Sequence, residues 1–108
     1  MTSVQIFRHG GEYRSFRCCG HTVYAESGED IVCAGVSAIV INTINCLQDL
    51  LQEEIDVSYD EEKGDIICNF TGTPGERAAF LLECMIHGLE WIQSQYGKQY
   101  LNYEIREV

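Results

Sequence analysis

The chain has 108 residues, which suits one domain with a single core, and its 45% hydrophobic and 10% aromatic content argues against intrinsic disorder. Seven Lys+Arg against 17 Asp+Glu give a formal net charge of −10. Such a surface repels phosphate backbones and anionic lipid, so neither direct nucleic-acid binding nor membrane attachment is expected, whereas a basic protein or peptide is favoured.

The opening MTSVQIFRHGGEYR lacks the apolar core of a signal peptide, so a reducing cytoplasmic setting is expected. Six cysteines are then read as thiols rather than as a disulfide framework. Val4 and Ile6 mark a first strand, and His9-Gly10-Gly11-Glu12 a turn, because paired glycines adopt positive φ at little cost. Residues 13–19 alternate large and polar side chains and predict the second strand of a hairpin. Residues 23–29 are polar and read as a loop, with Asp30 as N-cap of the helix that follows.

Residues 31–48 carry no formal charge, the length of a membrane span, but Ser37, Asn42, Thr43, Asn45 and Gln48 interrupt them. A largely buried helix fits better. Val32, Val36, Ile39, Val40, Thr43, Leu47 and Leu50 share one face, and Ala34, Ala38 and Ile41 widen the apolar arc beyond a single-sided stripe. A second covering surface, such as another subunit, would account for that width.

Residues 55–59 and 65–70 predict a second hairpin around a charged turn. Thr73-Pro74-Gly75-Glu76 reads as a helix start, with Thr as N-cap and Pro at the first helical position. Phe80, Leu81, Leu82, Met85, Ile86, Leu89, Ile92 and Tyr96 supply an apolar face, and Gly97 a stop. Leu101, Tyr103 and Ile105 alternate in a last strand. The fold class is therefore α+β: a single domain over residues 1–108 in the order β-β-α-β-β-α-β. A mainly antiparallel sheet carries two long helices packed on one face.

Chemistry concentrates between residues 20 and 38, GHTVYAESGEDIVCAGVSA. With Asp30 as cap, Cys33 falls in the first turn of the helix, where unpaired N–H groups and the dipole favour a thiolate or an oxyanion. His21 ends the preceding strand and could take the thiol proton and return it to a leaving amine. Asp30 either caps the helix or orients His21. Ser37 lies one turn after Cys33 on the same side. Considered apart from any relatives, these residues fit packing as well as catalysis.

Gly20-His21-Thr22, followed by Gly28-Glu29-Asp30-Ile31-Val32-Cys33-Ala34-Gly35-Val36-Ser37-Ala38, resembles the signature of the ribosomal-processing cysteine protease family, Prp. Thr22 departs from the Ala that often follows the His in that family. The resemblance implies a Cys–His endopeptidase that removes a short N-terminal extension from a basic large-subunit ribosomal protein, number twenty-seven. It implies Cys33 as nucleophile and His21 as general base, with Gly20, Asp30 and Ser37 in support. It also implies a homodimer; no cofactor or metal is expected. The loop from Thr22 to Glu29, with Gly28 as its hinge, is expected to close over peptide. The alternative is a non-catalytic, acidic, ribosome-associated binding protein.

Elsewhere plainer readings are expected. His9 is an exposed turn residue, His87 a packed or half-buried helix residue, and Trp91 and the tyrosines belong to core and sheet. Cys19, His21 and Cys33 lack a fourth ligand for zinc. The acids at 53–54 and 60–62 are solvated charges or a landing surface for a basic tail.

Overall fold

In the computed structural model the backbone is described for residues 2–19, 27–60 and 62–108, and side chains for the same residues except 27–30. Strands β1 (Thr2–His9) and β2 (Glu12–Cys19) form the expected first hairpin. His9 pairs with Glu12, which leaves Gly10 and Gly11 as a two-residue loop, and both have positive φ, 59° and 82°. A side chain at either site would be strained, so the Gly-Gly pair sets the register of the hairpin. His9 is exposed, as expected, and its Nδ1 lies 2.6 Å from the Val108 carbonyl oxygen.

Helix α1 (Ser27–Asn45) begins one turn earlier than the sequence predicts. Asp30 therefore sits inside the helix rather than at its cap, and Gly28 belongs to the first turn instead of a loop. The polar run Ser27-Gly28-Glu29-Asp30 looked like a loop, yet acids and Ser are favoured in a first helical turn. Val32, Val36, Val40, Ile44 and Leu47 are fully buried, so this long apolar segment is a core helix of the sheet. The stretch Ile31–Leu50 is nevertheless long and apolar enough to cross a membrane. Thr43 is also buried, and its hydroxyl donates to the Ile39 carbonyl at 2.8 Å. The helix ends in a single π turn, Cys46–Leu50.

Strands β3 (Ile55–Asp60) and β4 (Asp65–Phe70) make the second hairpin. Helix α2 (Glu76–Tyr96) follows and stops at Gly97, whose φ is 107°. Its start differs from expectation: Gly75, not Thr73, is the N-cap, and Pro74 lies before the helix. The hydroxyl of Thr73 instead donates to Glu12, and the Gly75 N–H donates to a Glu53 carboxylate oxygen at 3.0 Å. A carboxylate from elsewhere in the chain thus satisfies the positive end of α2.

Strand β5 (Leu101–Glu107) completes a five-stranded sheet of order β3-β4-β2-β1-β5. Every pairing is antiparallel except β1 with β5. The core lies between the helices and one sheet face, where Val4, Ile6, Phe16, Cys18 and Cys68 meet Val36, Val40, Leu82 and Leu89. The helices approach closely at Gly88, where an added Cβ would come within 3.1 Å of Ile39 Cδ1.

Candidate active site

Gly20, His21 and Thr22 lie outside the described residues, as does the side chain of Asp30. Cys33 and Ser37 are both described and both half-buried on α1. Cys33 lies six residues past the helix start at Ser27. That is beyond the first turn, and the N–H of residue 33 in an α-helix is directed at the carbonyl four residues back. The expected first-turn position of Cys33 is therefore corrected. Dipole effects fade within that first turn.

The surroundings of Cys33 are instead set by the end of β2. Cys18 there is fully buried, and burial pushes its thiol up to about 12; the neighbouring Cys19, Cys33 and Asp65 act in the same direction. Cys33 is thus within electrostatic reach of the last turn of chain before residues 20 and 21. Cys18 and Cys19 face opposite sides of the strand, Cys18 into the core and Cys19 partly outward. Cys18 pairs across to Ile66 at the start of β4, and Arg17 reaches Asp65 at 3.6 Å.

A cleft of about 290 Å³ opens next to this point. Ser37 and Ile41 of α1 form one wall, and Tyr59, Asp60, Asp65 and Ile66 of the second hairpin form the other. Cys33, Ser37 and Ile41 are spaced four apart, so they run along one side of α1 at about 6 Å per step. The sequence marks Cys33 and Ser37 but misses Ile41, Tyr59, Asp65 and Ile66, which line the cleft with Ser37. The four-residue spacing could have found Ile41. The others arrive through the pairing of β2 with β4, for which no local signal exists. Among the described residues there is no cluster of three or more His, Cys, Asp or Glu suited to a metal.

A sequence model of the family described as "Cysteine protease Prp" matches residues 1–101. The chain belongs to the cysteine protease Prp family. It is a cysteine protease on that ground, and one similar to ribosomal processing enzymes. The ribosomal processing cysteine protease Prp of Staphylococcus aureus is 34% identical over 86 residues, covering 79% of this chain and 81% of that protein. The Prp of Bacillus subtilis is 35% identical over 86 residues, covering 76% and 77%. The S. aureus Prp solved in complex with a substrate peptide superposes with a TM-score of 0.90 at 27% identity, covering 98% of this chain and all of that one. The same enzyme solved with a covalently linked product peptide gives 0.85 at 28% identity, with 98% and 100% covered. SMU.848 from Streptococcus mutans gives 0.88 at 25% identity, with 100% and 99% covered.

Outside the site, two expectations are corrected. His87 is exposed, not packed, and Trp91 is 60% exposed rather than in the core. Both lie on a second stripe of α2 with Phe80 and Cys84, facing away from the buried stripe of Ala78, Leu82, Met85, Leu89 and Ile92. Spacings of three and four serve both stripes equally, so periodicity alone could not choose the inner one.

Proposed function

We propose that the chain is an endopeptidase that trims the N-terminal extension of the large-subunit ribosomal protein numbered twenty-seven, with Cys33 as nucleophile and His21 as general base. The observation that carries this reading is the half-buried Cys33 thiol on α1 beside the end of β2, from which the sequence runs on to His21. Only Gly20 separates Cys19 from His21, two residue steps with a covalent reach of about 7 Å. With Cys33 beyond the first turn of α1, activation of the thiol falls to the imidazole. His21 takes the Cys33 proton as Sγ attacks the scissile carbonyl carbon. The carbon–nitrogen bond then breaks, and His21 returns the proton to the departing amine. Water hydrolyses the thioester, giving the acid product and restoring the thiol. Gly20 and Ser37 support the site, and Asp30 orients His21.

The net charge of −10 complements a basic ribosomal protein, and this activity belongs in the cytoplasm, where such proteins are made. The exposed stripe of α2, with Phe80 69% exposed, and Leu50 at 73% beside it, supports a homodimer joined through that face. Phe80→Glu is expected to shift the protein to monomer by analytical ultracentrifugation.

The direct test mixes the protein with the unprocessed ribosomal protein from its own organism and weighs the products. A shortened product made by the wild type and by neither Cys33→Ala nor His21→Ala is expected. Salt-sensitive binding with no shortened product would favour the non-catalytic binding protein instead.

A further inference from the structure

The cleft beside Cys33 has a shape suited to a side chain rather than to a small molecule. Its volume of about 290 Å³ falls at the lower limit of the roughly 300–1,000 Å³ typical of ligand sites. Its walls are largely apolar, with Ile41 of α1 and Ile66 and Tyr59 of the second hairpin lining it. Ile41 is 38% exposed and Tyr59 58%, so this apolar surface is open to a binding partner. Strand β3 is an outer strand of the sheet, and among the described residues no further strand pairs with it beyond β4. The cleft is continuous with the site, because Ser37 belongs to both and lies one helical turn from Cys33.

The charges at the mouth point to the same occupant. Asp60 and Asp65 line it. Arg17 lies 3.6 Å from Asp65 and offsets that charge. One Asp60 oxygen accepts from the N–H groups of Glu62 and Lys63, which holds its carboxylate in place at the turn. Asp60 therefore presents fixed negative charge beside an apolar slot.

We propose that this cleft is the specificity subsite of the protease, taking one apolar side chain of the substrate peptide between Ile41 and Ile66 while Asp60 favours a basic residue next to it. The proposal rests on the reading of the chain as a Cys33 endopeptidase. Peptide from the scissile bond lies over Ser37, and its first anchored side chain enters the slot one to two helical turns from Sγ. Binding there fixes the register of cleavage, because only a chain with the apolar residue at the right separation brings its carbonyl to Cys33.

The test uses peptides spanning the extension junction of the ribosomal protein, together with versions in which each apolar residue is changed to Ala and each basic residue to Gln. Ile41→Trp fills the slot from a partly exposed position. It is expected to lower kcat/KM on the parent peptide by at least about tenfold, the scale of pocket discrimination between side chains. The rate at which iodoacetamide alkylates Cys33 should be unchanged. In the wild type one apolar-to-Ala peptide should show a similar loss, and that loss should largely vanish in Ile41→Trp. Ile41→Ala, which cannot overpack, should show the same coupling with a smaller fall. Asp60→Asn should slow cleavage of the basic peptide and leave its Gln version unaffected.

Cleavage by Ile41→Trp within about twofold of wild type on every peptide would overturn the subsite. So would equal losses on the apolar-to-Ala peptide in both enzymes. Undiminished cleavage by Cys33→Ala would sink the nucleophile assignment, while the peptide coupling would still report separately on the cleft.

Discussion

Cys18 and Cys33 carry the same thiol and lie within electrostatic reach of each other, yet they meet opposite surroundings. Cys18 is sealed between sheet and helices, and burial holds it protonated with a pKa pushed up to about 12. Cys33 is half-buried on α1, one helical turn before Ser37, which lines a cleft. Cys68 repeats the first case on β4, again raised to about 12 by burial. A buried thiol acts as a small apolar side chain, and only one that can lose its proton within reach of a substrate acts as a nucleophile. In this fold the alternation of β2 turns Cys18 into the core, while the spacing along α1 leaves Cys33 half-buried.

The comparison can be broken by exchanging the two residues' fates. Cys33→Ala should lower cleavage by at least about a thousandfold, the scale seen when a covalent nucleophile is removed. Its melting temperature should stay near that of the wild type. Cys18→Ala should do the reverse: cleavage stays within a few fold, while urea unfolding shows a loss of about 1 kcal/mol, the scale of removing a methyl-sized group from a packed core. If Cys18→Ala abolished cleavage while remaining folded, the assignment of roles would be wrong.

Alkaline titration sharpens the same contrast. Tyr13 is buried beside α2 and donates to Glu83 at 2.5 Å. Burial first, and then Glu83, push its pKa up to about 12. Cys18, Cys68 and Tyr13 all have folded values above their ordinary ones of 9.0 for the thiols and 10.0 for the phenol. The folded chain therefore holds more protons than the unfolded chain at alkaline pH. Their contribution is complete below about pH 9 and is lost as pH rises towards 12. Stability measured in urea should fall across that window, and Tyr13→Phe should shallow the fall above pH 10. At neutral pH the Phe variant should lose about 1 kcal/mol, the worth of a typical hydrogen bond. Stability that held constant from pH 9 to 12 would contradict the buried, protonated state of these groups.

The smallest effect concerns the start of α2. Glu53→Gln removes the charge facing that helix end, with a cost of about 0.5 kcal/mol. Glu53→Ala removes the acceptor as well, with a cost of about 1 kcal/mol. Equal stability of all three proteins by thermal melting would show that the Gly75 contact contributes nothing.

These regions also show where the sequence was legible. Gly10-Gly11 dictated a hairpin because two successive residues need positive φ, and the structure has that turn in that register. The alternation from 65 to 70 likewise maps onto β4. Both are local facts, settled within a few residues. The failures are tertiary. Thr73 has the chemistry of a cap, but Glu53 arrives from the end of the first helical segment and Gly75 takes its place. Asp30 also has the chemistry of a cap, yet the helix runs back to Ser27, which moves Cys33 out of the first turn. The motif around Cys33 was readable as family resemblance, while Asp65 and Ile66, beside Cys18 and around the cleft with Ser37, came only with the pairing of β2 and β4. A sequence names residues that could react; strand order decides what stands beside them.

The central claim is that Cys33, and no other thiol of the chain, becomes acylated during cleavage. The most direct measurement mixes enzyme and extended ribosomal protein, quenches with acid within seconds, and digests the enzyme for mass spectrometry. An added mass equal to the N-terminal extension less one water, carried by the fragment containing Cys33 and absent from His21→Ala, is the predicted result. Continued cleavage by a Cys33→Ala enzyme, or the same added mass on the fragment containing Cys84, would contradict it.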